Sequence, residues 1–463
     1  MHNVRTRIAP SPTGFPHIGT IYQVLFDFAY ARKYQGKFIL RIEDTDRTRF
    51  VEGAEEVIFR SLDWFGLTPD EGPLQGGPFG PYRQSERLST YQKYALELVE
   101  KGHAYYCFCT KERLEEMRKE QEKNHQSPMY DRTCRKLTES EVKEKRAADL
   151  PYVIRMKVPD NQTVVLHDLI MGDIEFESNT IDDQVILKSD GFPTYHLGVV
   201  VDDHLMEISH VFRGREWVSS TPKHVLLYEF FGWEMPVHAH LPLILNSDGK
   251  GKLSKRHGHA SVDYYREGGY LPEAVLNYLS NIVWNHPEGK EIYSFDEFVT
   301  LFDITQITSQ GARFDLQKLT WMNQQYIQNM DDDILLQKIS DFYPGRQIDD
   351  AIIRKLLPLL KTRMETLKDF DTLTGFFFAA PAISPRDQLE KEIILDLRSV
   401  LEDLGKWNEQ EILVALKTVL EKHSARMPTL YYLFTGKEKG LPLPQSLEIL
   451  GKEKILERLR LLS

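Results

Sequence analysis

The stretch at residues 4–44 reads VRTRIAPSPTGFPHIGTIYQVLFDFAYARKYQGKFILRIED and contains the pattern from which the fold class is predicted. Its opening residues, 4–9, are typical of a short strand, and the prolines and glycine within 10–16 break any regular element. Apolar residues then recur at helical spacing over 18–32, and a second strand follows at 38–42. The order strand, helix, strand predicts the βαβ start of a parallel, Rossmann-type nucleotide-binding sheet.

The remainder of the chain separates into a mixed region and a helical region. Over 88–190, charged helical segments alternate with strand-like segments, which indicates an insertion into the sheet domain. The α/β pattern resumes over 191–258, where the apolar run Leu241–Leu245 is typical of a buried strand. Long amphipathic helices such as Asp350–Leu367 follow. We therefore predict an α/β fold: a Rossmann-type parallel-sheet domain with an α/β insertion, followed by an all-α C-terminal half.

The composition is that of a globular protein with an excess of acidic residues. The chain has 463 residues, with 58 Lys and Arg against 69 Asp and Glu, and a formal net charge of −11. This balance argues against a general basic coat, although a local basic groove can lie on an acidic body. No apolar run approaches the roughly 18 residues of a membrane span, and the N-terminus has no signal-peptide core. Because the chain has only three cysteines, we expect a cytoplasmic protein with no membrane partner.

The segment Pro16-His17-Ile18-Gly19-Thr20 lies where the first helix is expected to begin. A helix N-terminus offers unpaired N–H groups and a partial positive charge, which together suit a phosphate. Gly19 would let a nucleotide approach the helix closely, and His17 can donate a hydrogen bond to a phosphate or ring oxygen. Taken alone, such a motif is more often a histidine at a helix start.

A second motif, GKGKLSKRHG, occupies residues 249–258. Its glycines indicate a mobile loop, and Lys250, Lys252, Lys255 and Arg256 concentrate positive charge on it. In-line attack on the α-phosphate of ATP builds negative charge on the departing pyrophosphate, and mobile cations that engage it in the transition state accelerate this step. Taken alone, a basic loop is more often a solvated turn.

Together the two motifs resemble the His-Ile-Gly-His and Lys-Met-Ser-Lys-Ser sequences of class I aminoacyl-tRNA synthetases, and here they read HIGT and KLSKR. Small adenylyltransferases share the first motif, but they are usually single short domains, so the length disfavours them. Within class I, the chain is most similar to bacterial glutamyl-tRNA synthetases over almost its whole length. The similar stretches include TRIAPSPTG (6–14), RIEDTD (41–46), GPYRQSER (80–87), KSDGFPTYHL (188–197) and VDDH (201–204).

The resemblance implies a ligase that activates L-glutamate with ATP to glutamyl-adenylate. It then transfers glutamate to the 3′-terminal adenosine of tRNA(Glu), releasing AMP and pyrophosphate. ATP with Mg²⁺, transfer to the 2′-hydroxyl, bound tRNA before activation, and a monomer are implied as well. The implied catalytic positions are His17, Gly19, Thr20, Lys252, Ser254, Lys255 and Arg256. The implied ATP contacts are His17, Gly19, Glu216, Ile244 and Lys255.

The same resemblance implies the domain organisation. Residues 1–87 and 191–258 are expected to form the two halves of the Rossmann catalytic domain, and 88–190 an acceptor-binding insertion. Residues 259–325 are expected to form a stem-contact helical domain, and 326–463 an α-helical anticodon-binding region.

Glutamate has two carboxylates and one ammonium, so its site needs two cationic anchors and one anionic anchor. Arginine suits carboxylates because its planar fork bonds bidentately and stays charged. Arg7, Arg213 and Glu43 follow or end predicted strands, and ligands of open α/β sheets bind at the carboxyl ends of the strands. The family's glutamate-binding positions correspond to these three together with Ala9, Ser11 and Tyr195. For any one arginine, the alternative is a surface ion pair.

Arg213 also separates this family from glutaminyl-tRNA synthetases, which share the fold and an arginine matching Arg7. Those enzymes bind a neutral side-chain amide, so an arginine aimed at it would be left without an anion. Arg213 therefore favours glutamate as the substrate.

The three cysteines, Cys107, Cys109 and Cys134, resemble a zinc site in the insertion of some family members. Their usual fourth ligand, a histidine, corresponds here to Lys136, which cannot bind a metal while charged. Tyr130 is the candidate substitute, since a tetrahedral Zn²⁺ site needs four ligands. The alternative is three reduced, partly buried thiols.

The resemblance places Arg363 where an arginine helps to discriminate the third anticodon base, and arginine can bond a base edge bidentately. The alternative is an exposed helix charge. Two further hypotheses for the whole chain are a glutamyl-queuosine tRNA-modifying paralogue and a catalytically inactive tRNA-binding protein. The roughly 140 residues after Tyr326 argue against the first, and the intact motifs argue against the second.

Overall fold

A computed structural model of the chain describes residues 4–253, 258–346 and 349–462. Three predicted catalytic positions, Ser254, Lys255 and Arg256, lie outside the described residues. The strands are β1 (Arg5–Ile8), β2 (Lys37–Leu40), β3 (Ala104–Cys107), β4 (Val153–Met156), β5 (Thr163–Asp168), β6 (Gly172–Glu177), β7 (Val185–Leu187), β8 (His210–Gly214), β9 (Val237–Leu241), β10 (Ile244–Leu245) and β11 (Ala312–Arg313).

The helices of the first 314 residues are α1 (Ile18–Lys33), α2 (Ala54–Trp64), α3 (Leu88–Glu100), α4 (Lys111–Lys123), α5 (Glu139–Ala147), α6 (Tyr195–Leu205), α7 (Thr221–Phe231), α8 (Val262–Glu267), α9 (Pro272–Asn281) and α10 (Phe295–Leu301). Those that follow are α11 (Leu316–Asn329), α12 (Asp332–Phe342), α13 (Asp350–Lys361), α14 (Asp369–Phe378), α15 (Gln388–Glu402), α16 (Glu409–Lys422), α17 (Met427–Thr435), α18 (Leu443–Leu450) and α19 (Lys452–Leu462).

The chain folds into two compact units. One comprises the described residues up to Val262 together with Leu276–Phe314, and it contains the strands. The other comprises Asp263–Val275 and the described residues from Asp315 onward, and its core is helical. No helix within the described ranges is both long enough and apolar enough to cross a bilayer.

The first unit is built on parallel strand pairs. β1 pairs with β2, and β8 pairs with β9, in both cases in parallel. The backbone N–H of Ser209, just before β8, donates to the carbonyl of Arg5 in β1 at 3.0 Å, so the two pairs meet. The chain thus crosses from β1 to β2 on one side and enters β8 on the other, which creates the switch point where open α/β sheets bind ligands. The predicted fold class is confirmed.

The predicted insertion contributes both its own sheet and part of the main one. β3, β4 and β7 form an antiparallel sheet covered by α3. The β5–β6 hairpin instead joins the main sheet, because β5 pairs in parallel with β9 through Asp168 and His238. The strand order there is β6-β5-β9-β8.

α1 begins at the predicted position because its sequence caps the helix. His17 has extended backbone geometry, and its side chain accepts a hydrogen bond from the Gly19 N–H. The helix then buries one apolar face against β1 and β2, with Val24 and Leu25 fully enclosed. His17 and Gly19 are consequently fixed at the carboxyl end of β1, which positions them for the site described below.

The helical unit follows from sustained amphipathic periodicity. In α13, Ile353, Leu356, Leu357 and Leu360 recur at helical spacing, and all are fully buried. The predicted helix Asp350–Leu367 is nevertheless too long, because α13 ends at Lys361. The chain turns there and restarts at α14, where Asp369 accepts the N–H groups of the two residues Glu365 and Thr366.

The predicted strand Leu241–Leu245 is also wrong in its bounds. β9 begins earlier, at Val237, and ends at Leu241, and the short β10 follows. Pro242 explains the break, because proline has no N–H to donate to a sheet ladder. β10 then pairs with β11, a strand that the sequence pattern did not predict.

Candidate active site

A cavity of about 440 Å³ opens at the carboxyl ends of β1 and β8. The structure brings together there all six residues predicted to bind glutamate: Arg7, Ala9, Ser11, Glu43, Tyr195 and Arg213. His17 and Thr20, at the start of α1, line the same cavity. The arrangement places cationic and anionic side chains around one cavity, as a zwitterionic ligand requires.

The charge of Arg7 is already balanced by a neighbouring carboxylate. Its Nε and Nη2 atoms each donate to Asp203 at 3.2 Å, and Arg41 donates to the same carboxylate at 2.7 Å. Burial opposes ionisation of these groups, but the two guanidinium groups hold the pKa of Asp203 below its usual value. Arg41 also contacts Glu43 at 3.1 Å. Arg7 is thus held rigidly at the cavity wall by groups that are themselves buried.

Arg213 differs from Arg7 because its partners are neutral. Its side chain donates to His240 Nε2 at 3.0 Å, Thr221 Oγ1 at 2.6 Å and Tyr195 Oη at 3.2 Å. It also lies 3.3 Å from His224 Nδ1. Across the described part of the chain, no Asp or Glu forms an ion pair with it. The group is only 3% exposed, and burial lowers its pKa. A buried cation of this kind favours an anionic ligand.

Glu43 supplies the anionic group of the cavity. Burial raises its pKa to about 7, although the nearby Arg41 and Arg7 act in the opposite direction. Glu43 therefore changes its protonation near neutral pH, and an ammonium group bound beside it would favour the ionised form.

A second cavity, of about 490 Å³, adjoins the start of α1. Of the predicted ATP contacts, His17, Gly19, Glu216 and Ile244 line it. Because Nδ1 of His17 accepts from the Gly19 N–H at 2.9 Å, the ring proton is assigned to Nε2. The Tyr22 hydroxyl is buried at this cavity and has no hydrogen-bond partner among the described residues.

The described part of the basic motif forms a tight turn rather than an open loop. The Leu253 N–H donates to the Ile244 carbonyl at 2.9 Å, and Asn246 bonds across to Gly251. Gly249 and Gly251 have φ values of 73° and 78°, which glycine adopts readily. Lys252 ion-pairs with Glu216 at the second cavity.

A third cavity, of about 650 Å³, shares five lining residues with the first: Ser11, Glu43, Arg49, Tyr195 and Trp217. It is further lined by the basic side chains of Arg47 and Lys188 and by the carboxylates of Asp46 and Asp190. Trp217 is 40% exposed and lines all three cavities.

The cysteine cluster lies in the insertion and forms a separate group. The sulfur atoms of Cys107, Cys109 and Cys134 lie within 4.8 Å of one another. The Tyr130 hydroxyl is 3.4 Å from the Cys107 sulfur and 3.3 Å from that of Cys109. These separations suit four donors around one tetrahedral Zn²⁺, for which Zn–S bonds are roughly 2.3 Å. Lys136 is exposed.

Arg363 lies in the helical unit just after α13, and its side chain is exposed. Arg346 and Lys361 in the same unit form ion pairs with aspartates, whereas no ion pair of Arg363 is found over the described ranges. Its guanidinium is thus available to an external acceptor.

Several residues of the site were missed by sequence reasoning: Asp203, Thr221, His224, His240 and Trp217. Asp203 offered one detectable pattern, because Asp202 and Asp203 follow an apolar helical run from Leu197 to Val201. Acidic residues on such a helix are seldom buried without cationic partners. The two histidines and Thr221 carried no comparable pattern.

Comparison with known proteins gives the same assignment over the full length. Residues 3–321 match the family described as tRNA synthetases class I (E and Q), catalytic domain, and 326–462 match an anticodon binding domain. The glutamate–tRNA ligase of Cellvibrio japonicus is 44% identical over 99% of this chain and 93% of its own. The corresponding ligase of Protochlamydia amoebophila is 46% identical, with the same coverage.

This chain belongs to the glutamate–tRNA ligase family. The predicted resemblance is confirmed. Solved structures agree: a glutamate–tRNA ligase from Elizabethkingia meningosepticum, determined in complex with its amino acid, has a TM-score of 0.87 and 37% identity. The match covers 99% of this chain and 98% of the Elizabethkingia meningosepticum chain. The glutamate–tRNA synthetase of Elizabethkingia anophelis has a TM-score of 0.85 and 37% identity, and 99% of each chain is covered.

Proposed function

We propose that this member of the glutamate–tRNA ligase family activates L-glutamate with MgATP and transfers it to the 3′-terminal adenosine of tRNA(Glu). The observation that carries the proposal is Arg213, a buried guanidinium whose hydrogen-bond partners are all neutral, in a cavity that also contains Arg7 and Glu43. This charge pattern complements a ligand with a carboxylate at each end and one ammonium group.

In this proposal Arg213 and Tyr195 bind the side-chain carboxylate. The Tyr195 hydroxyl accepts from Arg213, so its own O–H is left to donate, and burial keeps its pKa raised. Two donors would then face the two carboxylate oxygens. A glutamine amide would turn its NH₂ toward one of these donors and would leave the guanidinium without an anion. Glutamate is favoured for this reason.

Arg7, Glu43 and the backbone near Ala9 and Ser11 would bind the α-amino acid group. The α-carboxylate attacks the α-phosphorus of ATP, and pyrophosphate leaves with the electrons of the broken P–O bond. The chain supplies no covalent nucleophile in this step, so its contribution is positioning and charge stabilisation.

The second cavity is proposed to bind ATP. His17 Nε2–H would donate to the phosphates. Because Gly19 has no side chain, the phosphates could approach the backbone of α1 closely. Ile244 is buried and apolar, which suits a base, and Glu216 would accept from the ribose hydroxyls after releasing Lys252. Lys252, Ser254, Lys255 and Arg256 would engage the departing pyrophosphate. Substitution of Lys255 by alanine should cut activation sharply while sparing tRNA binding.

The third cavity is proposed to receive the 3′ end of the tRNA. It shares a wall with the glutamate cavity, as transfer to the terminal ribose requires, and its basic side chains suit phosphates. The domain bounds expected from the sequence, with 88–190 binding the acceptor end and 326–463 the anticodon, remain part of this proposal. So do a cytoplasmic location and a monomeric state.

The cysteine cluster is proposed to bind a structural Zn²⁺ through Cys107, Cys109, Cys134 and Tyr130. Bound zinc would tie β3 to the segment containing Tyr130 and Cys134. The three thiols and the hydroxyl converge on one point, which supports a four-donor site.

The decisive experiment is charging of purified glutamate and glutamine tRNAs with labelled glutamate or glutamine, in the presence of ATP and Mg²⁺. Glutamate on glutamate tRNA alone would support the whole proposal. Glutamate on both tRNAs would retain the enzyme and remove the anticodon role of Arg363. Charging with glutamine, or no charging, would refute the proposed roles of Arg213 or of the ATP site.

A further inference from the structure

The direction in which Arg213 points is set by a histidine that belongs to another strand. The Nε–H of Arg213 donates to Nε2 of His240 at 3.0 Å, and both side chains are buried. Imidazole can accept at Nε2 only when that nitrogen carries no proton. The bond therefore exists for one neutral tautomer of His240 and is lost for the other.

Asp168 selects that tautomer. Its Oδ2 atom lies 2.6 Å from Nδ1 of His240 and 2.9 Å from the His240 backbone nitrogen. Its Oδ1 atom accepts the N–H groups of Ile170 at 3.0 Å and Met171 at 2.9 Å. Both oxygens thus face donors only, so Nδ1 of His240 must carry the proton and Nε2 must present its lone pair.

The remaining donors of Arg213 show what this orientation achieves. A guanidinium has five N–H groups in a rigid fork. Four are directed at His240, Thr221, Tyr195 and His224. One N–H and the Tyr195 O–H remain for a ligand. Without an acceptor at His240, the fork would lose its contact at Nε, one of the four that fix its orientation.

We propose that Asp168 and His240 are positioning residues that determine specificity for the substrate's side-chain carboxylate, acting through Arg213. This inference rests on the proposed function, because it assumes that Arg213 binds that carboxylate. Neither residue touches the glutamate cavity itself. Asp168 lies at the end of β5, within the segment expected to bind the tRNA acceptor end, so residues of that segment also take part in amino-acid selection.

The test compares H240L with H240Q in the full chain. Leucine removes the acceptor, whereas the glutamine amide can accept from Arg213 and donate to Asp168. We expect H240L to raise the KM for glutamate by roughly 10-fold to 100-fold, the range for one hydrogen bond to a charged group. H240L should also lower the preference for glutamate over glutamine, while the KM for ATP should change by less than about three-fold. H240Q should restore the glutamate KM to within about five-fold of the wild type.

His238 provides a matched control. It is buried on the same strand, and its Nδ1 atom lies 2.7 Å from the Pro236 carbonyl; it forms no hydrogen bond with Arg213. H238Q should therefore leave the glutamate KM within about two-fold of the wild type. If H238Q raised it as much as H240L, the effect would be one of strand packing, and the inference would be overturned.

A second measurement uses the wild-type chain and therefore does not depend on whether a variant folds. In the wild-type chain labelled with ¹⁵N-histidine, His240 should show a protonated Nδ1 and an unprotonated Nε2; the opposite tautomer would overturn the inference. R213A distinguishes failure of the proposed function from failure of the role of Asp168 and His240. Wild-type glutamate kinetics in R213A would refute the proposed function of that residue. Impairment in R213A with wild-type kinetics in H240L would refute only the role of Asp168 and His240.

Discussion

Glutamate binding should weaken as the pH falls from 8 to 6, because Glu43 must be ionised to pair with the ammonium group. Burial raises the pKa of Glu43 to about 7. At pH 8 about nine-tenths of the free protein would have the carboxylate, and at pH 6 about one-tenth. Since only the ionised form pairs with the ligand, the apparent Kd for glutamate should rise about ten-fold between these pH values. Affinity falls in acid because lowering the pH below the raised pKa protonates Glu43 and removes the carboxylate that binds the ammonium group.

Four charged or titratable neighbours, His196, His224, Arg7 and Arg41, do not account for such a change. Burial lowers the pKa of His196 to about 3 and holds the pKa of His224 well below its usual value. Both histidines therefore stay neutral from pH 6 to 8. Arg7 and Arg41 stay charged over the same range.

The assay is calorimetric titration of the full chain with L-glutamate at pH 6, 7 and 8, without ATP. E43Q is the matched variant, since it keeps the shape but cannot ionise. It should bind more weakly than the wild type at pH 8 and show no dependence on pH in this interval. The reasoning would be refuted by a pH-independent wild type, or by an E43Q protein with the same slope as the wild type.

Three further predictions concern other parts of the chain. R363A should lower the preference for glutamate tRNA over glutamine tRNA, measured as the ratio of kcat/KM values, by about ten-fold because one bidentate base contact is lost; an unchanged ratio would leave Arg363 as a surface charge. C134S should abolish stoichiometric zinc in metal analysis and lower the melting temperature, and a purified wild-type chain without zinc would contradict the proposed site. L356A should cost about 2–5 kcal/mol of the free energy of unfolding of the helical unit, because the side chain is fully buried, and the exposed L395A should cost less than about 0.5 kcal/mol in the same denaturant titration.

The sequence predicted the start of the main sheet well and its centre less well. β1, α1 and β2 were recognisable because each has an unbroken periodic pattern bounded by glycine or proline. β9 was not, since His238 and His240 interrupt its apolar residues and make Val237–Leu241 appear polar. Burial of these histidines depends on partners elsewhere in the chain, such as Asp168, and a local pattern contains no information about them.

The same distinction applies to the site. Arg7, Glu43 and Arg213 were predictable because a strand end is a local feature and the ligand chemistry demands their charges. Asp203 lies 196 residues from Arg7 in sequence, yet it fixes that side chain. Its role follows from the tertiary placement of α6, which brings Asp203 within hydrogen-bonding distance of Arg7, so only the folded chain reveals it.

The parallel pairing of β5 with β9 bears on how this enzyme could be taken apart. The inserted segment supplies a strand to the main sheet, and one of its carboxylates holds the neighbouring strand's histidine. Excising 88–190 to obtain a minimal catalytic fragment would therefore leave β9 as an exposed edge, prone to pairing with other molecules. Exchanging that segment between relatives would also exchange Asp168, the carboxylate that holds His240 behind Arg213. The inserted segment is thus part of the main sheet and not a detachable module.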